Sequence, residues 1–201
     1  MKVTFDSIDE AVMMIVSFAH GSVRNADGTI GHYRKYTKDP YIKHLKEVRN
    51  IYAAAVPDDP VGNAIAFGHD LFEDTDFTPT DLVSWLTAHE FAPDVISEVV
   101  NGIIELTDVY TAKAAPDLNR AKRKEMEALR IAGISKRGKK IKLSDLISNT
   151  KDIVPYDKKF APIYLEEKEY LLTFLKGANP MLYGQAVREL EKAKKKIIDN
   201  N

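Results

Sequence analysis

Apolar residues in this chain return at three- and four-residue intervals from one end to the other, and the strict alternation that a half-buried strand needs is missing. Capping signals point the same way. Ser7-Ile8-Asp9-Glu10 has the form in which a hydroxyl and a carboxylate each satisfy a backbone N–H at a helix start, which predicts a first helix over about 8–19. Pro40, then Asp59-Pro60, open helices expected over about 40–56 and 60–74, since a first-turn proline gives up an N–H that has no helical partner there. Thr80-Asp81 begins a short helix around Trp85, and after Pro93 the residues Val95, Ile96, Val99, Val100, Ile103, Ile104 and Leu106 recur at helical spacing. Asp117 can cap a helix that Gly133 ends, and further helices are expected over about 141–153, 164–175 and 180–198. Trp85 and the Phe and Tyr residues at helical spacing read as core. The expected fold is all-α, one domain over residues 1–201, with the chemistry in about 8–153 and C-terminal helices over about 157–199.

Charge narrows the partners. With 29 Lys+Arg against 30 Asp+Glu the formal net charge is −1, which disfavours duplex nucleic acid, a partner held by a clearly basic face. The chain has no cysteine, so a disulfide framework, a thiolate nucleophile and a Cys-ligated metal are all excluded. Any metal here must use His and carboxylate. The apolar stretch from Ala11 to Ala19 follows acidic Asp6, Asp9 and Glu10, the wrong flank for a secretory signal, and no run reaches the ~20 apolar residues needed to span a bilayer. A cytoplasmic protein without a membrane partner is expected. Lys192 to Lys196 reads as a solvated helix end.

Three separated segments carry the chemistry: Asp39-Pro40-Tyr41-Ile42-Lys43-His44, Gly68-His69-Asp70-Leu71-Phe72-Glu73-Asp74-Thr75, and Lys142-Leu143-Ser144-Asp145-Leu146-Ile147-Ser148-Asn149. His69-Asp70, expected on a helix, would put an ionisable pair among Ala64, Ile65, Ala66, Phe67 and Leu71, an expensive arrangement that a bound cation relieves. Imidazole with carboxylate suits Mn, Fe, Co, Ni or Zn, and His44 and Asp145, each in an apolar helical setting, are candidates for the remaining ligands. Glu73 follows His69 by four residues, placing it one turn along the same helical face with Asp74 beside it, within reach of a proton on water. Asn149 is one turn beyond Asp145, and its neutral amide can donate to a phosphate or ribose oxygen. The long segment His20–Asp39 reads as a loop of the length that often serves a function. His20, His32 and His89 read as structural or surface residues, and Lys136, Arg137, Lys139 and Lys140 as a solvated basic loop leading into the Asp145 helix.

In this order His44, His69-Asp70 and Asp145 resemble the H…HD…D signature of HD-domain metal phosphohydrolases. The PYIxH, HDxxEDT and KLxDxxxN stretches, at 40–44, 69–75 and 142–149, more specifically resemble the hydrolase domain of Rel/SpoT-type alarmone enzymes, including their small stand-alone forms. The resemblance spans about Ile8 to Ile153, with Phe18-Ala19-His20-Gly21 and Glu105-Leu106-Thr107 matching more loosely. It implies an HD-domain helical bundle in which His44, His69, Asp70 and Asp145 bind Mn²⁺ or another divalent transition metal. It implies further that Glu73 and Asp74 activate or position the attacking water, and that Arg34, Lys35 and Asn149 hold a small nucleotide. The implied reaction removes the 3′-pyrophosphate from guanosine tetra- or pentaphosphate. The alternatives are an HD phosphohydrolase for another nucleotide, such as a monophosphatase or a cyclic-nucleotide phosphodiesterase, or a catalytically silent nucleotide-binding module. Departures gather around the expected base pocket: 25–32 looks like an insertion, Arg34-Lys35 stand one residue further from Pro40 than usual, and Leu146 and Ser148 replace a familiar arginine and histidine.

Overall fold

The computed structural model describes residues 4–199, and within them every regular element is an α-helix. The only extended pairings among the described residues are two isolated bridges, Arg24 with Ile30 and Tyr33 with Pro40, both inside the long loop. The chain divides into two compact units, Met1–Thr107 and Asp108–Asn201.

The first unit holds α1 (Ile8–Gly21), α2 (Ile42–Ala55), α3 (Pro60–Gly68), α4 (Leu71–Asp74), α5 (Pro79–Ala88) and α6 (Pro93–Leu106). Ser7 caps α1 as expected, its hydroxyl accepting from the Glu10 N–H at 3.2 Å, while the Glu10 carboxylate accepts from the Asp6 N–H at 3.1 Å. The short helix α3 is the centre of this unit. Ala64, Ile65, Ala66, Phe67 and Gly68 are all buried, because α1, α2 and α6 pack around it, and a helix apolar on every side has no other place to go. Its start is fixed by a small network in which the Asp59 carboxylate caps the Gly62 N–H at 2.9 Å and accepts from the Tyr52 hydroxyl at 2.6 Å. Buried Asp9 on α1 pairs with the guanidinium of Arg49, joining α1 to α2.

Gly62 is obligatory in that network. A Cβ there would overlap the Asp59 carboxylate and press on the Tyr52 ring, with Cε1 at 2.6 Å, and a fully buried ring cannot turn aside. Gly62→Ala is expected to destabilise the protein by about 1–3 kcal/mol, the usual range for overpacking, as measured by denaturant unfolding. An unchanged midpoint would show that α3 can shift along α2.

The second unit holds α7 (Arg120–Ile131), α8 (Lys136–Tyr156), α9 (Ala161–Leu175) and α10 (Pro180–Asp199). Here α9 packs on α7, α8 and α10, and α8 on α10, around a core that includes Ile131, Ile141, Leu146, Ile147, Leu165, Leu172, Leu182 and Leu190. Buried Glu127 accepts from the backbone N–H groups of Val109 and Tyr110, both at 3.1 Å, and so ties the loop before α7 to the helix.

Several boundaries differ from the sequence reading. Lys136, Arg137, Lys139 and Lys140 are not a loop: they are the first turns of α8, which Ser135 caps by accepting from the Gly138 N–H at 2.9 Å. Asn119 rather than Asp117 caps α7. Of the aromatic residues expected in the core, Tyr52 and Phe67 are fully buried, but Trp85 is half-buried between Phe5 and His89 and Phe18 is 66% exposed. The expected helix over 60–74 is interrupted at His69 and Asp70, and that interruption builds the site.

Candidate metal centre

The break begins with a side chain. His69 Nδ1 lies 2.9 Å from the Ala66 carbonyl oxygen, so Nδ1 carries the proton and donates it, leaving Nε2 with a lone pair. Asp70 then takes a non-helical conformation, φ −102° and ψ 7°, and becomes the N-cap of α4. This turn brings Asp70 Oδ2 to 3.0 Å from His69 Nε2 and 3.8 Å from His44 Nε2. His44 comes from the first turn of α2 and is buried, as is His69, while Asp70 keeps some exposure. One ligand-capable atom from each of His44, His69 and Asp70 lies within 4.8 Å of the others.

This donor set fits a divalent transition metal. A neutral imidazole lone pair and a carboxylate oxygen 3.0 Å apart repel unless a proton or a cation lies between them. Two imidazoles and a carboxylate are ligands that Mn, Fe, Co, Ni or Zn accept.

Around the cluster lies a second layer that the sequence reading did not assign. The Tyr41 hydroxyl donates to Asp70 Oδ2 at 2.7 Å. The Tyr41 ring lies parallel to His32, centroids 3.9 Å apart and planes 11° apart, and to His20 at 5.3 Å and 5°. His20 and His32 share a hydrogen bond between their Nδ1 atoms at 3.0 Å. Burial, then the neighbouring His32, push the His20 pKa down to about 4, and burial also lowers that of His32, so both rings are neutral near pH 7. His20 is therefore buried beside the site, and His32 is half-buried against Tyr41. The loose match of Phe18-Ala19-His20-Gly21 was the one signal available for His20; no periodicity marks His32.

Glu73 and Asp74 lie on α4 and line a cavity of about 600 Å³ together with Phe18, Ala19, Ser22 and Arg24. The continuous helix that would have set Glu73 one turn above His69 is absent, because Asp70 restarts the helix. Arg34 places its guanidinium 5.8 Å from the Tyr41 ring centre, whereas Lys35 turns outward, its ammonium 4.9 Å from the Tyr36 ring centre.

Asp145 and Asn149 belong to the second unit, one turn apart on α8, with the Asn149 amide donating to Asp145 Oδ1. Asp145 is buried and lies 3.3 Å from Lys142 Nζ. Charge is concentrated here. Burial would raise the Asp108 carboxyl, but Lys142 and Lys124 override it and hold its pKa below the usual carboxylate range; Lys124 also bonds it directly at 2.8 Å. Burial first, then repulsion from Lys142, push Lys168 down to about 8. Lys124, Lys142 and Lys168 thus lie near the carboxylates of Asp108 and Asp145.

The all-α fold is the one that the sequence reading expected. It is shared with a solved structure described as a metazoan ortholog of SpoT that hydrolyses ppGpp and plays a role in starvation responses. The TM-score is 0.73 over 95% of this chain and 98% of that chain, at 21% sequence identity. No protein-family model matches the chain, and no curated protein matches it.

Proposed function

We propose that this protein is a metal-dependent phosphohydrolase acting on a small nucleotide, with the 3′-pyrophosphate of guanosine tetra- or pentaphosphate as its substrate bond. The observation that carries the reading is the convergence of His44, His69 and Asp70 within 4.8 Å, on a fold shared with a ppGpp hydrolase. His44, His69 and Asp70 hold the cation in this reading, Mn²⁺ by the resemblance, and Asp145 is its fourth ligand. A divalent cation so held supplies Lewis acidity to a phosphate oxygen.

The chain's own residues supply the rest. His69 is held in one tautomer by the Ala66 carbonyl, which keeps Nε2 available as a ligand. The Glu73-Asp74 pair accepts one proton of the water that attacks the 3′-linked phosphorus. The bond to the 3′-oxygen breaks, pyrophosphate is released, and the 3′-oxygen leaves with the nucleoside 5′-phosphate and takes up a proton from that pair or from solvent to become a hydroxyl. Arg34, beside Tyr41, clamps a phosphate or stacks on the base, and Asn149 donates to a substrate oxygen. No helix among the described residues is long and apolar enough to cross a membrane, and a water-borne nucleotide is the partner this reading requires.

The test is incubation of the purified protein and Mn²⁺ with alarmones, cyclic dinucleotides and nucleoside phosphates, followed by chromatographic product identification. Pyrophosphate with GDP or GTP is the expected outcome. Turnover of another nucleotide alone would transfer the same chemistry to that substrate, and no turnover of any would overturn the enzymatic reading. Within it, Arg34→Ala should raise KM roughly tenfold, the effect of losing one charge-assisted hydrogen bond, while Lys35→Ala has a smaller effect that fades with added salt. Equal kinetics for Arg34→Ala and wild type would remove this loop from substrate binding.

A further inference from the structure

The segment 25–32 has no counterpart in the motifs that match, yet its last residue is among the most constrained in the long loop. The His32 N–H donates to the His20 carbonyl at 2.9 Å, and the His32 carbonyl accepts from the Tyr41 N–H at 2.9 Å. Its side chain repeats both ties, with Nδ1 at 3.0 Å from His20 Nδ1 and the ring face 3.9 Å from that of Tyr41. His32 thus joins the end of α1 to the residue that begins the turn into α2. Backbone and ring both hold Tyr41, and the Tyr41 hydroxyl in turn holds Asp70 Oδ2 at 2.7 Å.

We propose that His32 is a positioning residue, supplied by the 25–32 segment, which acts through Tyr41 to aim the Asp70 carboxylate at the metal. The inference rests on the metal reading given above. A carboxylate that bonds a divalent cation must turn one oxygen toward it, and Asp70, in its turn between α3 and α4, does not spend its side chain on capping α4. An outer hydrogen-bond donor helps to set that orientation: Tyr41 occupies one lone pair of Oδ2 and leaves the second available on the oxygen that lies nearest His44 and His69. A phenol on a freely turning side chain would do this poorly. Clamped between α2 and the paired imidazoles of His20 and His32, the ring is restricted to one orientation, so the ordering is complete before the cation arrives.

Manganese affinity of chelator-stripped protein, measured by calorimetric titration with Mn²⁺ alone, tests the chain of contacts. Tyr41→Phe keeps the stacked ring and removes only the hydroxyl, and should weaken Mn²⁺ binding about 10–100-fold, the usual effect of losing an outer-layer partner. His32→Ala should weaken it several-fold. Because both act through one contact, Tyr41→Phe combined with His32→Ala should bind no more weakly than Tyr41→Phe alone. His32→Phe, which restores an aromatic face against Tyr41, should recover most of the affinity. A general loss of packing would lower the melting temperature of the metal-free protein and would not be rescued in this pattern. Should His32→Ala fail to fold, His32→Gln takes its place with the same expectation. Wild-type affinity in the His32 variant, or additive losses in the double variant, overturns the brace while leaving the metal site standing. A wild-type protein that takes up no Mn²⁺ overturns the metal reading itself.

Discussion

Asp70→Asn should leave a folded protein that neither retains metal nor turns over substrate, whereas Glu73→Gln should retain metal and lose about 10²–10⁴-fold in kcat. The two carboxylates stand three residues apart, yet the structure gives them different surroundings. Asp70 Oδ2 is 3.0 Å from His69 Nε2 and accepts from Tyr41, a setting in which a neutral amide would lose the negative charge that offsets a cation. Glu73 lies on α4 against the open cavity with Arg24, where a carboxylate can take a proton and return it to solvent. Both substitutions preserve size and fall outside the fully buried core, so folding should survive either. Elemental analysis beside steady-state kinetics separates the roles. Stoichiometric metal in Asp70→Asn would remove Asp70 as a ligand, and an unchanged kcat in Glu73→Gln would remove Glu73 from the chemistry.

How far the sequence could reveal this arrangement depends on whether the forces were local. Caps and first-turn prolines act within four residues, so Ser7 and Pro60 announce α1 and α3 in the chain itself, and the structure begins both helices as expected. The interruption at His69 and Asp70 was not legible, because the apolar run continues through Leu71 and Phe72 and every residue there tolerates a helix. It depends on the bond from His69 to the Ala66 carbonyl and on the Tyr41 hydroxyl, whose donor lies 29 residues away. The start of α8 failed for the opposite reason. Lys136, Arg137, Lys139 and Lys140 repel one another and read as loop, but the Ser135 cap and the buried Ile141 and Leu143 outweigh that repulsion. His44, His69 and Asp70 were legible as ligands through motif and chemistry together, and the structure brings these three side chains to one point. His20, at the end of α1, had only a loose motif match, and His32, in the glycine-containing loop, had none, since their pairing forms only when the loop closes on Tyr41.

That closed loop makes the metal-free protein lose stability in mild acid. His20 is 2% exposed, and its pKa falls from an ordinary 6.5 to about 4, first through burial and then through His32. The unfolded chain takes up a proton at this position near pH 6.5, but the folded protein does not until about pH 4. Between those values the unfolded state binds more protons, so stability is full above pH 6.5, declines as pH falls toward 4, and declines no further on this account below it. The difference corresponds to about 3 kcal/mol if the whole depression is realised. His32, shifted in the same direction, adds to the loss. His20→Gln has nothing to protonate and should lack most of this dependence, while carrying a fixed penalty from the lost ring contact with Tyr41. Urea unfolding of chelator-treated wild type and His20→Gln at pH 7.5 and pH 4.5 gives the comparison, with carboxylates held low elsewhere, such as Asp108, contributing equally to both proteins. Wild-type stability should fall by about 2–3 kcal/mol more than that of the variant. Parallel loss in the two proteins would mean that His20 is protonated in the folded state well above pH 4, and that the pair with His32 holds a charge rather than a shared neutral proton.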